Sequence, residues 1–327
     1  MARDNPHRPF TPDPVQAERI PDTSGNSVNG LGETEFRRPE IVYWATDSSQ
    51  IAHGKMQDYF YMRSNEVDGF AEARKKRLAI NEAPLPDLAA VPVERDPQDW
   101  TTALGRFVTD GDCEMVGVAE MNADWAYEGQ DVPQKRVIVL GVQHDYEEIK
   151  IAPDWQSGME VVRQYTRAGA AAKKITGWLR TQGWEAEAVT GPLTGSITLI
   201  PPALACGFGE LGKHGSIINP ELGASFRLSA VLTDAPFAPT PPRDFGVDDF
   251  CQNCRICEDA CPPEALAPEK QTVRGVEKWY VDFDRCLPFF NEHQGCSICI
   301  AVCPWSRPGV GLNLAEKLAR KRARQGD

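Results

Sequence analysis

The sequence has 327 residues, of which 41% are hydrophobic and 25% are charged, enough apolar content for one large domain or two. Its formal net charge of −12 argues against a nucleic-acid partner. The sequence contains no long apolar run and no apolar signal segment, so we expect a cytoplasmic protein without a membrane partner.

The first 95 residues are predicted to form an N-terminal arm and extension. Residues 1–40 are rich in proline, glycine and charge, which suits a segment that lies on the surface or stays mobile. Residues 41–44 and 59–62 look like strands or docking pieces, and residues 70–78 look helical.

Residues 96–245 are predicted to form an α/β or α+β domain, because strand and helix patterns alternate there. The apolar run KRVIVLGV at 135–142 predicts a buried central strand. Residues 158–182 predict the longest helix, since apolar side chains recur at steps of three and four. Further strands are expected at 196–200 and 228–233, and the prolines at 236–242 predict a stiff linker.

Eight of the ten cysteines form two motifs within residues 246–310, ahead of a basic tail at 311–327. The motifs read C-x2-C-x2-C-x3-C-P and C-x9-C-x2-C-x3-C-P, whereas zinc sites favour widely separated C-x2-C pairs. In such runs the fourth cysteine ligates the other cluster. We therefore predict two [4Fe–4S] clusters, the first held by Cys251, Cys254, Cys257 and Cys303, the second by Cys286, Cys296, Cys299 and Cys261.

Two further features concern ligand contact. The insert LPFFNEHQG, which contains Phe290, sets Cys286 back and predicts a loop that shapes a docking surface for a cofactor beside the second cluster. Gly207, Gly209 and Gly212 match G-x-G-x-x-G, but nearby prolines break the context of a dinucleotide site. These glycines suit either a tight turn or close backbone approach to a large flat ligand.

The segments GFGELGKHGSIINPELGASFRLSAVLTDAP, DFGVDDFCQNCRICEDACP and CSICIAVCPW resemble the core of the cobalamin-dependent reductive dehalogenases, over roughly residues 95–306. Epoxyqueuosine reductases, which are related cobalamin and iron–sulfur enzymes, share part of this framework. The resemblance implies an α+β fold: a nitroreductase-like cobalamin-binding sandwich at 96–245, then a ferredoxin-like double-cluster module at 246–310. It also implies base-off cobalamin, as norpseudocobalamin or another corrinoid, that receives electrons from the clusters.

The resemblance further implies which residues act. Tyr165 matches the tyrosine that donates the proton replacing the halogen, and Arg227 matches the arginine that supports it, although Tyr165 also suits a packed helix aromatic. The loop at 190–194 lacks the family's lysine or asparagine, which leaves the substrate open. The candidate cofactor contacts are Gly207, Gly209, Gly212, Lys213, His214 and Phe290.

The resulting prediction is a cytoplasmic reductive dehalogenase that removes halide from an organohalide, with a halogenated aromatic as the expected substrate. A separate ferredoxin or flavin reductase is expected as electron donor, because no such domain is fused, and a homodimer is one open state. The alternatives are a cobalamin and iron–sulfur reductase of a non-halogenated substrate, like epoxyqueuosine reductase, and a ferredoxin-type electron-transfer protein.

Overall fold

The structure, a computed structural model, describes residues 7–108, 111–191 and 195–325. Its α-helices are α1 Pro14–Ala17, α2 Gly25–Val28, α3 Gly54–Asn65, α4 Phe70–Glu82, α5 Pro97–Phe107, α6 Tyr146–Ile149, α7 Trp155–Thr181, α8 Ile200–Ala205, α9 Val247–Asn253, α10 Ile256–Ala260, α11 Phe283–Glu292, α12 Ile298–Ala301 and α13 Val310–Gln325. Its strands are β1 Met115–Glu120, β2 Arg136–Gln143, β3 Ala186–Val189, β4 Glu210–Leu211, β5 Ile217–Ile218, β6 Phe226–Thr233, β7 Gln271–Val273 and β8 Val276–Lys278. Short 3-10 turns cover Ser48–Gln50, Ala123–Trp125 and Pro304–Ser306.

A four-stranded antiparallel sheet in the order β1-β2-β6-β3 organises the middle of the chain. The apolar run at 135–142 becomes β2, where Val139 pairs with Gly117 of β1 and Ala230 of β6. Side chains 137–142 of β2 are all buried, as a central strand covered on both faces requires. The mixed helix and sheet organisation predicted for this region is confirmed.

Helices cover both faces of this sheet. On one face, Ile138 and Leu140 of β2 belong to the same buried cluster as Ala172 and Ile175 of α7. On the other face, residues 137 and 139 of β2 pack in a second cluster with Phe208 and the α8 region. The predicted long helix is thus observed as α7, and its apolar face lies on the sheet because side chains three and four apart share one face.

Several local expectations differ from the structure. The insert at 287–295, expected as a loop, is mostly helical, because α11 extends to Glu292. Residues 59–62 lie inside α3, whose buried side chains Met56, Tyr59 and Phe60 follow helical spacing, so they form no strand. The strand expected at 196–200 reduces to a single bridge of Ile197, and α8 begins at Ile200 because proline suits the first turn of a helix. The proline segment at 236–242 packs along β1, where Thr240 N–H donates to the Val118 carbonyl at 2.8 Å.

The described part of the N-terminal arm lies on the C-terminal module. The buried Gln16 side chain donates to the Pro288 carbonyl at 3.0 Å, and Leu31 forms a bridge with Val273 of β7. At the other end of the chain, Arg322 of α13 forms ion pairs with Asp244 and with an acidic residue of α9. Among the described residues, no helix combines the length and the apolar character that a membrane span needs.

Candidate active site between the sheet and the cysteine motifs

The first predicted group of cysteines surrounds one small cavity, which Cys251, Cys254, Cys257 and Cys303 all line. Burial raises the pKa of the Cys257 and Cys303 thiols to about 12, because the loss of water around a buried thiolate outweighs the nearby Lys213 cation and the backbone N–H groups beside Cys303. Coordinated iron compensates the buried negative charge and keeps a thiolate deprotonated. The backbone N–H groups of Trp305 and Ser306 partly oppose the rise in pKa for Cys303, as they would favour a thiolate that ligates a cluster. These residues therefore fit a [4Fe–4S] cluster.

The second predicted group lines the wall of a much larger cavity, formed in part by Cys261, Cys286, Cys296 and Cys299. Burial raises the pKa of the Cys296 thiol to about 12, and the backbone N–H of Ile298 partly opposes that rise. All four residues of the loop 294–297 have positive φ, between 34° and 111°, a conformation that costs energy for residues other than glycine. The chain thus holds a strained loop where it presents Cys296.

Each cysteine group lines a cavity, and its side chains do not converge on a single metal-ion position. Within residues 7–108, 111–191 and 195–325, no three His, Cys, Asp or Glu side chains come together closely enough for a single metal ion. The two groups adjoin each other, since Cys257 of the first lies within electrostatic range of Cys299 in the second. The structure thus brings the eight cysteines together in the two sets of four expected from sequence.

Tyr165 and Arg227 meet in the same large cavity as the second cysteine group. This cavity holds about 1400 Å³ of free space including its solvent-facing mouth. A neighbouring cavity of about 1210 Å³, measured in the same way, shares Trp44, Tyr165, Ser216 and Arg227 with it. Tyr165 and Arg227 therefore stand where two large spaces join.

A chain of hydrogen bonds fixes the orientation of Tyr165. Arg227 on β6 donates through Nη1 to the Tyr165 hydroxyl oxygen at 3.3 Å and through Nε to His144 Nε2 at 2.8 Å. His144 Nδ1 lies 3.1 Å from the Ser225 hydroxyl. Because the tyrosine oxygen accepts from a cation, its own hydrogen remains available to a group in the cavity.

His144 is the functional residue that sequence reasoning missed. It is buried, and burial together with the Arg227 cation holds its pKa well below the usual value, so the imidazole is neutral near pH 7. A neutral imidazole can accept the Arg227 Nε–H, which a protonated ring cannot. The two residues are 83 positions apart, and only the antiparallel pairing of Val142 with Arg227 brings them together.

The predicted cofactor contacts fall into two sets. Gly207 and Gly209 have positive φ, and a side chain at either position would strike backbone oxygen, of Pro241 and Ile218 respectively. A side chain at Gly212 would lie 2.6 Å from the Ile218 side chain and 2.9 Å from the His214 ring. Among the described residues that line the two large cavities, none of these glycines is present. This placement favours the tight-turn alternative for the G-x-G-x-x-G match.

Lys213, His214 and Phe290 lie closer to the site. Lys213 is buried against the first cysteine group, where its ammonium group donates to the Cys254 carbonyl at 3.0 Å and pairs with Glu258. His214 lines both the small and the large cavity, and its buried Nε2 has no partner among the described residues. Phe290 lines the large cavity and stacks on Phe60 at 5.7 Å.

The loop at 190–194 is described only in part. A side chain at Gly191 would lie 3.7 Å from the Tyr165 ring, so this loop does run beside the tyrosine. Residues 192–194 lie outside the described residues. Of the stretch that replaces the family's lysine or asparagine, the described residue Gly191 is thus placed beside the tyrosine.

Comparison with known proteins agrees with the motifs. Residues 250–306 match the 4Fe-4S dicluster domain, which confirms the prediction of two [4Fe–4S] clusters. A tetrachloroethene reductive dehalogenase of Desulfitobacterium hafniense is 36% identical over 217 residues, covering 62% of this chain and 39% of that protein. An epoxyqueuosine reductase of Synechococcus sp. (strain CC9605) is 30% identical over 156 residues, covering 41% of this chain and 43% of that protein. The chain therefore spans less than half the length of these two relatives.

Solved structures share the fold. The catabolic reductive dehalogenase NpRdhA, in complex with 3-bromo-4-hydroxybenzoic acid, has a TM-score of 0.73 at 22% identity and covers 88% of this chain and 45% of that chain. A reductive dehalogenase whose structure suggests a mechanism for B12-dependent dehalogenation has a TM-score of 0.68 at 20% identity, covering 90% and 48%. Fold and cysteine groups define an iron–sulfur protein with a mixed α/β domain. More particularly, the chain is similar in sequence to a tetrachloroethene reductive dehalogenase and shares its fold with reductive dehalogenases of known structure, in agreement with the resemblance of its motifs.

Proposed function

We propose that this chain acts as a cobalamin-dependent reductive dehalogenase, an oxidoreductase that removes halide from an organohalide. Replacing a halogen by hydrogen consumes two electrons and one proton and releases one halide ion. Such a site needs an electron supply and an acid at one place. The observation that carries the proposal is the cavity where the second cysteine group, Tyr165 and Arg227 meet.

The residues around Tyr165 fit a corrinoid. The two joined cavities offer room for a substrate and a large flat cofactor, and His214 holds an unpartnered Nε2 at their wall. The His214 Nδ1 accepts from the Ser216 N–H at 3.2 Å, so Nε2 carries the hydrogen and can donate to a cofactor amide. Phe290 is the proposed apolar contact, and residues 96–245 the proposed nitroreductase-like corrinoid domain. When bound, the corrinoid supplies the reduced cobalt at which a carbon–halogen bond is cleaved.

Tyr165 is the proposed proton donor. Its O–H gives a proton to the carbon that loses the halogen, and the Arg227 cation stabilises the phenolate that remains. A well-placed general acid of this kind contributes roughly 100- to 10,000-fold to a rate. His144 is a positioning residue, because it holds the guanidinium of Arg227 through Nε and touches no substrate atom in this scheme.

The cysteine groups define the proposed direction of electron flow. The second group lines the large cavity that contains Tyr165, which we call the catalytic cavity. The first group lines the small cavity, and His214 lines both. Electrons from a separate ferredoxin or flavin reductase would therefore enter at the first cluster and leave from the second. The division into residues 1–95, 96–245, 246–310 and 311–327, cytoplasmic location and assembly as a homodimer remain parts of the proposal.

The test is halide release by the reconstituted protein. The chain is loaded anaerobically with cobalamin and both clusters, reduced chemically and given 3-bromo-4-hydroxybenzoate, and bromide is measured by ion chromatography. We expect release by the wild type and a loss of about 100-fold or more in Tyr165→Phe. Tyr146→Phe, a change in α6 outside both cavities, is the matched control and should keep full activity. Full activity of Tyr165→Phe would rule out the proposed proton donor.

A second candidate is a cobalamin-dependent reductase of a non-halogenated substrate. The missing lysine or asparagine favours it, because Gly191 of that loop lies beside the Tyr165 ring. Deoxygenation of an epoxyqueuosine-containing RNA without bromide release from organobromides would establish this candidate in place of the dehalogenase. A protein that holds clusters and no corrinoid would instead be an electron-transfer protein.

A further inference from the structure

The catalytic cavity carries positive charge that no nearby carboxylate neutralises. Arg74 and Arg77 of α4 line it together with Arg227. Within residues 7–108, 111–191 and 195–325, none of the three guanidinium groups lies within ion-pair distance of an Asp or Glu side chain. A buried cation without an anion is costly, and cavities that keep one are commonly completed by a negatively charged ligand.

Of these three arginines, Arg77 is the one with a buried donor that is unpaired among the described residues. It is 8% exposed, and its Nε has no hydrogen-bond partner in the described part of the chain. The Tyr61 hydroxyl lies near the Arg77 guanidinium, whose charge opposes the rise that burial causes in the pKa of Tyr61. Arg74 differs, because it donates to the Ser64 hydroxyl at 2.8 Å and to the Asn65 side chain, and lies 5.3 Å from the centre of the Tyr61 ring.

Aromatic side chains form the walls around this charge. Trp44, Phe60 and Phe290 line the same cavity, and Trp44 meets Phe60 edge-on at 4.9 Å. Flat apolar walls suit a planar ring, and the neighbouring guanidinium suits a planar anion that it can bind through two N–H groups. Since α4 packs along α7, which carries Tyr165, the anion site and the proton donor face one cavity.

We propose that Arg77 binds the carboxylate of the substrate, so that the enzyme acts on halogenated aromatic carboxylic acids. This inference rests on the proposed dehalogenase function and adds the substrate class. The aromatic ring lies between the walls of the cavity, with its carboxylate on Arg77 and its carbon–halogen bond toward Tyr165. Arg77 is then a specificity determinant for the substrate anion and plays no part in electron transfer.

The test compares two ligands that differ only in charge. Binding of 3-bromo-4-hydroxybenzoate and of its carboxamide to the oxidised, fully loaded protein is measured by isothermal titration calorimetry. We expect the carboxylate to bind the wild type more tightly, and Arg77→Gln to weaken that binding by about 10- to 100-fold without changing carboxamide affinity. Lys76→Gln removes one positive charge from the exposed side of the same helix and should bind like wild type.

Other outcomes distinguish a failure of the anion site from a failure of the proposed dehalogenase function. Equal affinity of the wild type for both ligands would overturn the anion site, even if Arg77→Gln failed to fold. Carboxylate binding that depends on Arg77, without bromide release from the reduced protein, would overturn the dehalogenase function and leave the anion site standing. Bromide release with a KM that Arg77→Gln does not change would overturn the anion site and leave the dehalogenase function standing.

Discussion

Replacing His144 tests the hydrogen bonds that hold the proposed catalytic pair. The imidazole is 3% exposed, and its Nε2 accepts from Arg227 Nε at 2.8 Å. His144→Leu leaves that N–H of a charged group without an acceptor, which costs about 1–3 kcal/mol. If the whole cost falls on the transition state, kcat drops by about 5- to 150-fold. His144→Gln offers an acceptor oxygen near the same place, so its activity should lie between those of the wild type and His144→Leu.

The same residue gives the protein a predictable pH dependence. Because burial and Arg227 depress the pKa of His144, the folded protein keeps the ring neutral while the unfolded chain takes up a proton near the usual pKa. The contribution of the neutral His144 ring to the free energy of unfolding is complete above about pH 6.5. It is lost as the pH falls toward the folded-state pKa. Between about pH 6.5 and about pH 5 the wild type should lose stability relative to His144→Gln, by at most about 2 kcal/mol for the uptake of one proton.

Thermal unfolding at neutral pH and near pH 5 measures this difference, since other titrating groups are shared by the two proteins and cancel. Halide release by the three proteins gives the kinetic part. A difference in unfolding free energy between the wild type and His144→Gln that stays constant with pH would show that the imidazole is not a buried neutral group. Full kcat in a folded His144→Leu protein would show that Arg227 needs no such support.

The remaining predictions concern the acid, the clusters and the buried ion pair. Tyr165→Phe should abolish proton donation, so bromide release falls about 100-fold or more while calorimetric substrate binding is kept. Cys286→Ser should remove one of two cluster signals from the electron paramagnetic resonance spectrum of the reduced protein. Lys213→Met leaves Glu258 buried without its main partner and should destabilise the protein by about 3–5 kcal/mol. Lys270→Met breaks a more exposed pair and should cost at most about 1 kcal/mol in urea unfolding.

The grouping of the eight cysteines could be predicted from sequence because the information is local. Cys251, Cys254 and Cys257 are spaced so that one turn of chain wraps one cluster, and the Cys-Pro ending sends Cys261 to the other. The buried strand at 135–142 could also be predicted, because its six consecutive buried residues form an uninterrupted apolar run in the sequence. Such patterns survive without knowledge of the tertiary fold.

The rest depends on contacts between distant segments. His144 reaches Arg227 through the register of β2 and β6, which the sequence of neither strand specifies by itself. Arg77 lies on a helix that was predicted at 70–78, yet the packing of α4 on α7 decides that its guanidinium lines a cavity and not the solvent. Tyr165 needed the family resemblance, because a tyrosine on an apolar helix face is ordinarily a core residue.

Cobalamin-dependent bromide release is the most direct test of the central claim. The chain is prepared anaerobically with both clusters, with and without cobalamin, and turnover of 3-bromo-4-hydroxybenzoate is followed by ion chromatography under a strong chemical reductant. We expect one bromide ion to be released for every two electrons consumed, and only when cobalamin is bound. No bromide from the fully loaded protein, or equal release without cobalamin, would contradict it.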